Sequence, residues 1–185
     1  MKKHLSKLAL FFVLTSTLLA CEKDHNNETF TYYRLRINHY KQAVNNKFVY
    51  VTQEKETIGG NTWENKDFYI DDFVYEPGYI YDIDVMNLYQ RDAALSSGLK
   101  LRKIVSKTKV ADNTSFEVNL RANGTNLFTG NIGVGDYVIL NKIKFDCGTL
   151  CTEFAQLVAS TNQNIIGEFV RNTDGSYVLK SLKVK

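Results

Sequence analysis

The residue of most definite chemistry in this chain is Cys21. Leu18-Leu19-Ala20-Cys21 ends an apolar stretch, Leu8 to Leu19, that is relieved only by Thr15, Ser16 and Thr17 and preceded by Lys2, Lys3 and Lys7. A basic start, a short apolar run and a small residue before a cysteine form the pattern of a bacterial lipoprotein signal, cut before the cysteine whose thiol is then acylated. The run is too short for a membrane span. Residues 1–20 are therefore expected to be a signal peptide, and 21–30 a lipidated tether. The membrane is then a partner through the lipid on Cys21. Glu22, rather than an aspartate, points to the outer membrane, with the leaflet left open.

Cys147 and Cys151 remain, an even pair suited to an oxidising compartment. A disulfide across this short loop is worth about 2 kcal/mol in the chain-entropy model. The alternatives are a redox pair or half of a metal site, but C-x3-C is not the usual redox spacing and no second cysteine or histidine cluster accompanies it. His4 leaves with the signal and His25 lies in the polar tether, so His39 is the one histidine of the folded part. That excludes a multi-histidine zinc site.

Asp67, Asp71, Asp72, Glu76, Asp82 and Asp84 form an acidic cluster. Carboxylates around a turn can serve a hard cation or act as a glycosidase pair. No D-x-D-x-D-G loop is present, and acids on a strand face are ordinarily solvated. Trp63, Phe68, Tyr69, Phe73, Tyr75, Tyr79 and Tyr81 form an aromatic set that reads either as the core of a small sheet or as a contact surface. Tyr75 and Tyr79 flank a turn and are the members expected at the surface. Gly124, Gly130, Gly133 and Gly135 lack the lysine and hydroxyl residue of a phosphate loop and read as turn glycines. Lys100, Arg102, Lys103, Lys107 and Lys109 read as a solvated strand face or a contact for anionic headgroups. No catalytic residue, no metal site and no cofactor is expected.

These residues must be positioned by strands. The formal charge of +3 comes entirely from the three lysines before Cys21, so the chain beyond it is neutral and a nucleic-acid partner has no electrostatic basis. An apolar content of 44% and a single proline favour a folded, strand-rich chain. Tyr33, Leu35 and Ile37 alternate with Arg34, Arg36 and Asn38, the period of a half-buried strand over 31–40. Further strands are expected at 47–53, 67–74, 79–85 and 99–110, the last broken near Arg102 to Val105 by a bulge. Pro77-Gly78 suits the centre of a type II turn. After a linker at 111–115, strands are expected at 116–121, 126–132 and 136–145. A short helix over 150–159, capped by Thr149 or Asp146, precedes strands at 164–171 and 176–184 joined by Asn172-Thr173-Asp174-Gly175. The fold class is mainly β (α+β). Two small β-rich domains are expected, 31–110 and 116–185, the second with one short helix and the element order of an OB-like five-stranded barrel.

Phe68-Tyr69-Ile70 with Phe73, then Tyr75-Glu76-Pro77-Gly78-Tyr79-Ile80-Tyr81, then Ile104-Val105-Ser106-Lys107-Thr108 with Trp63 upstream, resemble the bacterial family catalogued as domain of unknown function 4377. The resemblance spans about residues 32–110. It implies an exported lipoprotein domain and brings no activity. Family members usually carry two cysteines around the second strand, whereas residues 32–62 contain none.

The sequence thus points to a cell-envelope lipoprotein acting as a non-catalytic binding or structural module. Its contact surface is expected at Tyr75, Glu76, Tyr79 and Tyr81, with an envelope protein or glycan as partner. The competing classes are a hydrolase of envelope polymers using the acidic cluster and a stress-response or inhibitor-like protein.

Overall fold

The computed structural model describes residues 30–88, 98–131, 135 and 137–185. Cys21, the expected signal and tether, and residues 89–97 lie outside them. The fold is mainly β, in two sheets, with one short helix.

The first sheet is built from β1 (Phe30–Val44), β2 (Lys47–Glu54), β3 (Glu64–Lys66), β4 (Tyr69–Asp71), β5 (Tyr79–Leu88) and β6 (Gly98–Lys109), in the order β3-β2-β1-β5-β6-β4. Alternation sets its faces. Leu35, Ile37, Tyr81, Ile83, Val85, Leu99 and Ile70 form one buried cluster, while Arg34 and Arg36 stand directly opposite Asp84 and Asp82 on the other face. Asn45 and Asn46, both at positive φ (46° and 61°), close the β1–β2 hairpin, the backbone that a two-residue type I′ turn requires. In β6, Val105 and Arg102 have no partner in the β5 ladder, so the break expected there is two bulges. The strand expected over 67–74 is only β4. Asp72 turns at φ 60°, and Phe73 and Tyr75 beyond it fold onto the buried cluster rather than alternating.

β1 changes sheets. Ile37 pairs with Thr52 and Lys41 with Tyr50, so Asn38, His39 and Tyr40 face a single residue of β2. Such a bulge bends a strand and re-aims its side chains. Beyond it, Ala43 is buried in the core of the second sheet, with Tyr40 and Phe48 packed against that core. The Gln42 amide donates to Glu117 O (3.1 Å) and accepts from Asn119 N (2.8 Å), and Asn119 donates to Ala43 O (3.2 Å).

The second sheet contains β7 (Phe116–Ala122), β8 (Thr125–Asn126), β9 (Phe128–Gly130), β10 (Tyr137–Ile139), β11 (Ile143–Asp146), β12 (Ile165–Arg171) and β13 (Tyr177–Val184), in the order β8-β7-β12-β13-β11-β10-β9. Its two outer strands are halves of one extended run. Between them Leu127 donates to Leu120 O (2.8 Å) and accepts from Leu140 N (2.9 Å). The sheet therefore curls back on itself as a barrel around Phe116, Phe128, Tyr137, Phe145, Phe154, Phe169 and Tyr177. The parallel pairing of β11 with β13, across the helix and β12, is the OB-like element. The barrel has one strand more than the five-stranded plan, because β7 lies between β12 and β8. The expected strand over 136–145 is a hairpin, broken where Leu140 and Asn141 take φ of 47° and 57°.

The helix α1 (Cys151–Ala159) buries Phe154 and Val158, and Leu150 and Leu157 pack partly on the same core. No side chain caps its start. Asp146 instead accepts from Gly148 N (2.8 Å) at the 3-10 turn that precedes it. At the helix's other end, buried Arg121 donates to Asn126 Oδ1 (2.6 Å), Val158 O (2.6 Å), Ser160 O (3.1 Å) and Asn162 O (3.2 Å). Among the described residues no helix is long and apolar enough to cross a membrane.

Candidate functional site

A cleft of about 200 Å³ opens where the two sheets meet. It is lined by His39 from the β1 bulge, the turn at 76–79, the end of β6 with the following turn, and Arg171 to Thr173 at the β12–β13 hairpin.

Local chemistry explains how these segments are held. Gly78 sits at φ 92°, a conformation that costs other residues and that the second central position of a type II turn demands. Its N–H donates to His39 O (2.8 Å) and its carbonyl accepts from Val110 N (3.0 Å), so the turn is fastened to β1 and to the exit of β6. Arg171 reaches it from the barrel, with Nη1 donating to Pro77 O. A Cβ on Gly78 would lie 2.6 Å from that Nη1, so the bare backbone is also what admits the guanidinium.

The electrostatics centre on Arg171. Its Nε is buried without an acceptor. His39 is 8% exposed, and burial, reinforced by the Arg171 charge, lowers its pKa to about 4, so its ring is neutral near pH 7. Burial also raises the Tyr177 phenol to about 12, against the lowering pull of Arg171. Lys109 is paired with Asp112 (2.9 Å), and Glu76 with Lys107.

The expected contact surface divides. Glu76 and Tyr79 line the cleft. Tyr81 is 1% exposed, and its hydroxyl accepts from Glu76 N (3.2 Å). Tyr75 donates to Asn38 O (3.0 Å), packs on the first sheet's core and has its pKa raised chiefly by burial. Tyr75 and Tyr81 are thus core residues rather than contact residues, because the turn folds their rings back under β1. Tyr79 is partly buried too, with the Lys107 ammonium 4.2 Å from its ring centroid. The residues that do face the cleft from elsewhere, His39, Lys109, Asp112 and Arg171, carry no local motif.

The acidic cluster is largely consumed by cross-strand pairing. Asp82 takes both arms of Arg36 (2.8 and 2.9 Å) and the Ser106 hydroxyl (3.0 Å), and the Arg36 bonds lower its pKa. Asp84 pairs with Arg34 (3.0 Å), Asp72 with Lys100 (3.6 Å) and Asp67 with Lys47. The basic run supplies several of these cations, and Arg102 lies over the Tyr32 ring (4.4 Å). Gly124 and Gly135 take positive φ in turns, whereas Gly133 lies outside the described residues. Cys147 and Cys151 are bonded to each other, with Cα atoms 4.9 Å apart, so their sulfurs are committed although Asp146 lies close by.

Comparison of the chain with models of known protein families, with curated proteins and with solved structures finds no match.

Proposed function

We propose that this protein is a cell-envelope lipoprotein, anchored through acylated Cys21 in the outer membrane, that serves as a non-catalytic binding module with its ligand seated in the junction cleft. The anchor reading rests on the basic start, the apolar run and the Ala20-Cys21 junction. The observation that carries the binding reading is Arg171, a cation that lines the cleft and, among the described residues, donates to Pro77 O alone. Of the acids that an envelope hydrolase would draw on, Asp67, Asp72, Glu76, Asp82 and Asp84 are engaged by cations.

Two measurements test the two halves. Metabolic labelling with an alkyne fatty acid is expected to mark the wild-type chain and to miss Cys21→Ser; equal labelling of both removes the anchor. Crosslinking in intact cells is expected to recover one envelope component with the wild type and to lose it with Arg171→Gln. Recovery that survives that substitution removes the cleft from the function.

A further inference from the structure

Arg171 offers five N–H donors in a planar fork. The fold uses one, on Pro77 O, and leaves Nε buried without an acceptor. Among the described residues no carboxylate is paired with this guanidinium. A guanidinium that lines a cleft without a paired carboxylate gains from an oxyanion bound against it.

We infer that the cleft is a subsite for the carboxylate of an acidic sugar, a hexuronate unit of an envelope glycan, held against Arg171. This deepens the binding reading above and rests on it. The charge balance selects a single negative charge. Glu76 is neutralised by Lys107 and Asp112 by Lys109, which leaves one uncompensated positive charge. A phosphate dianion would face those two carboxylates with no second free cation. The rest of the lining fits a sugar. Thr114, Asn172 and Thr173 present hydroxyl and amide groups, and Pro77 and Tyr79 present flat apolar surface. The volume of about 200 Å³ holds roughly seven water molecules, enough for one pyranose ring.

The test is titration of the purified protein in detergent micelles, read by NMR at the Arg171 Nε–H and at the amides of Gly78, Asn172 and Thr173. The probes are glucuronate, glucose, acetate, inorganic phosphate and an acetylated tripeptide with a free carboxylate. Glucuronate is expected to shift these signals saturably in the millimolar range, and glucose to leave them in place. Arg171→Gln is expected to weaken glucuronate about tenfold or more. If that variant does not fold, Thr173→Glu, at an exposed position on the cleft, sets a repelling carboxylate beside the ligand and is expected to weaken it comparably. No saturable shift with glucuronate overturns the inference, as does a midpoint matched by acetate or phosphate, or a tighter one for the tripeptide. If glucuronate fails while cellular capture still depends on Arg171, only the ligand class falls. If capture is indifferent to Arg171, the binding reading falls with it.

Discussion

Arg121 and Arg171 lie in opposite regions of the barrel, and the fold treats them differently. At the helix end, Arg121 in β7 spends its guanidinium on Asn126 and on the carbonyls of Val158, Ser160 and Asn162. Those carbonyls belong to the carboxyl end of α1 and the chain leaving it, where the helix dipole is negative and acceptors are left over. At the junction end, Arg171 closes β12 and finds one carbonyl, that of Pro77. The first arginine completes the barrel; the second reaches out of it. An arginine whose donors are satisfied internally is architecture, and one held in place with donors to spare is the better candidate for recognition.

Removing Arg121 should break this contrast most severely. Arg121→Ala is expected to cost about 4 kcal/mol in urea denaturation, since Asn126 and the carbonyls of Val158, Ser160 and Asn162 lose a charged donor together. A loss under about 1 kcal/mol would show that water replaces it readily. Acid sharpens the junction side. His39 is buried neutral with a pKa near 4, against an ordinary 6.5, so the unfolded chain binds its proton first. Stability is complete above pH 6.5 and falls as pH drops toward 4, by about 3 kcal/mol in all. Thermal melts from pH 7 to 4 should show that slope in the wild type and lose it in His39→Gln.

Gly78→Ala addresses the seat itself. A methyl group at φ 92° and within 2.6 Å of Arg171 Nη1 is expected to cost about 2 kcal/mol and to weaken ligand capture. Arg171→Gln should give the smallest change in stability, about 1 kcal/mol or less, because it removes one hydrogen bond and an orphaned donor together. A loss as large as that of Arg121→Ala would make the two arginines equivalent and Arg171 a structural strut.

Much of the fold was legible before the structure. The alternation from Tyr33 to Asn38, the Pro77-Gly78 turn, the irregularity at Arg102 to Val105 and the helix bearing Phe154 and Val158 all follow from local periods and turn chemistry. The site was not legible, because its parts are distant in sequence and individually ordinary. His39 acquires its position from a bulge, and Arg171 is one arginine at the end of a strand. The tyrosines misled for a related reason. Their alternation identified a face, but only the return of the 72–78 segment beneath β1 decides that Tyr75 and Tyr81 are covered. The OB-like order was readable as far as the helix and its flanking strands; the extra strand arose because 136–145, expected as one strand, turns at Leu140 and Asn141 into the β10–β11 hairpin.

The β1 bulge sets a schedule as well as a shape. The cleft needs residue 39, which leaves the ribosome early, and residues 171–173, which lie in the hairpin that places β13 between β12 and β11. The first sheet can pair all its strands before that hairpin exists, leaving Gly78 fastened to His39 with nothing opposite. The last hairpin of the chain is then what completes the cleft. A chain that stalls, or is clipped, before its last hairpin has the His39 and 76–79 side of the cleft without Arg171 opposite it.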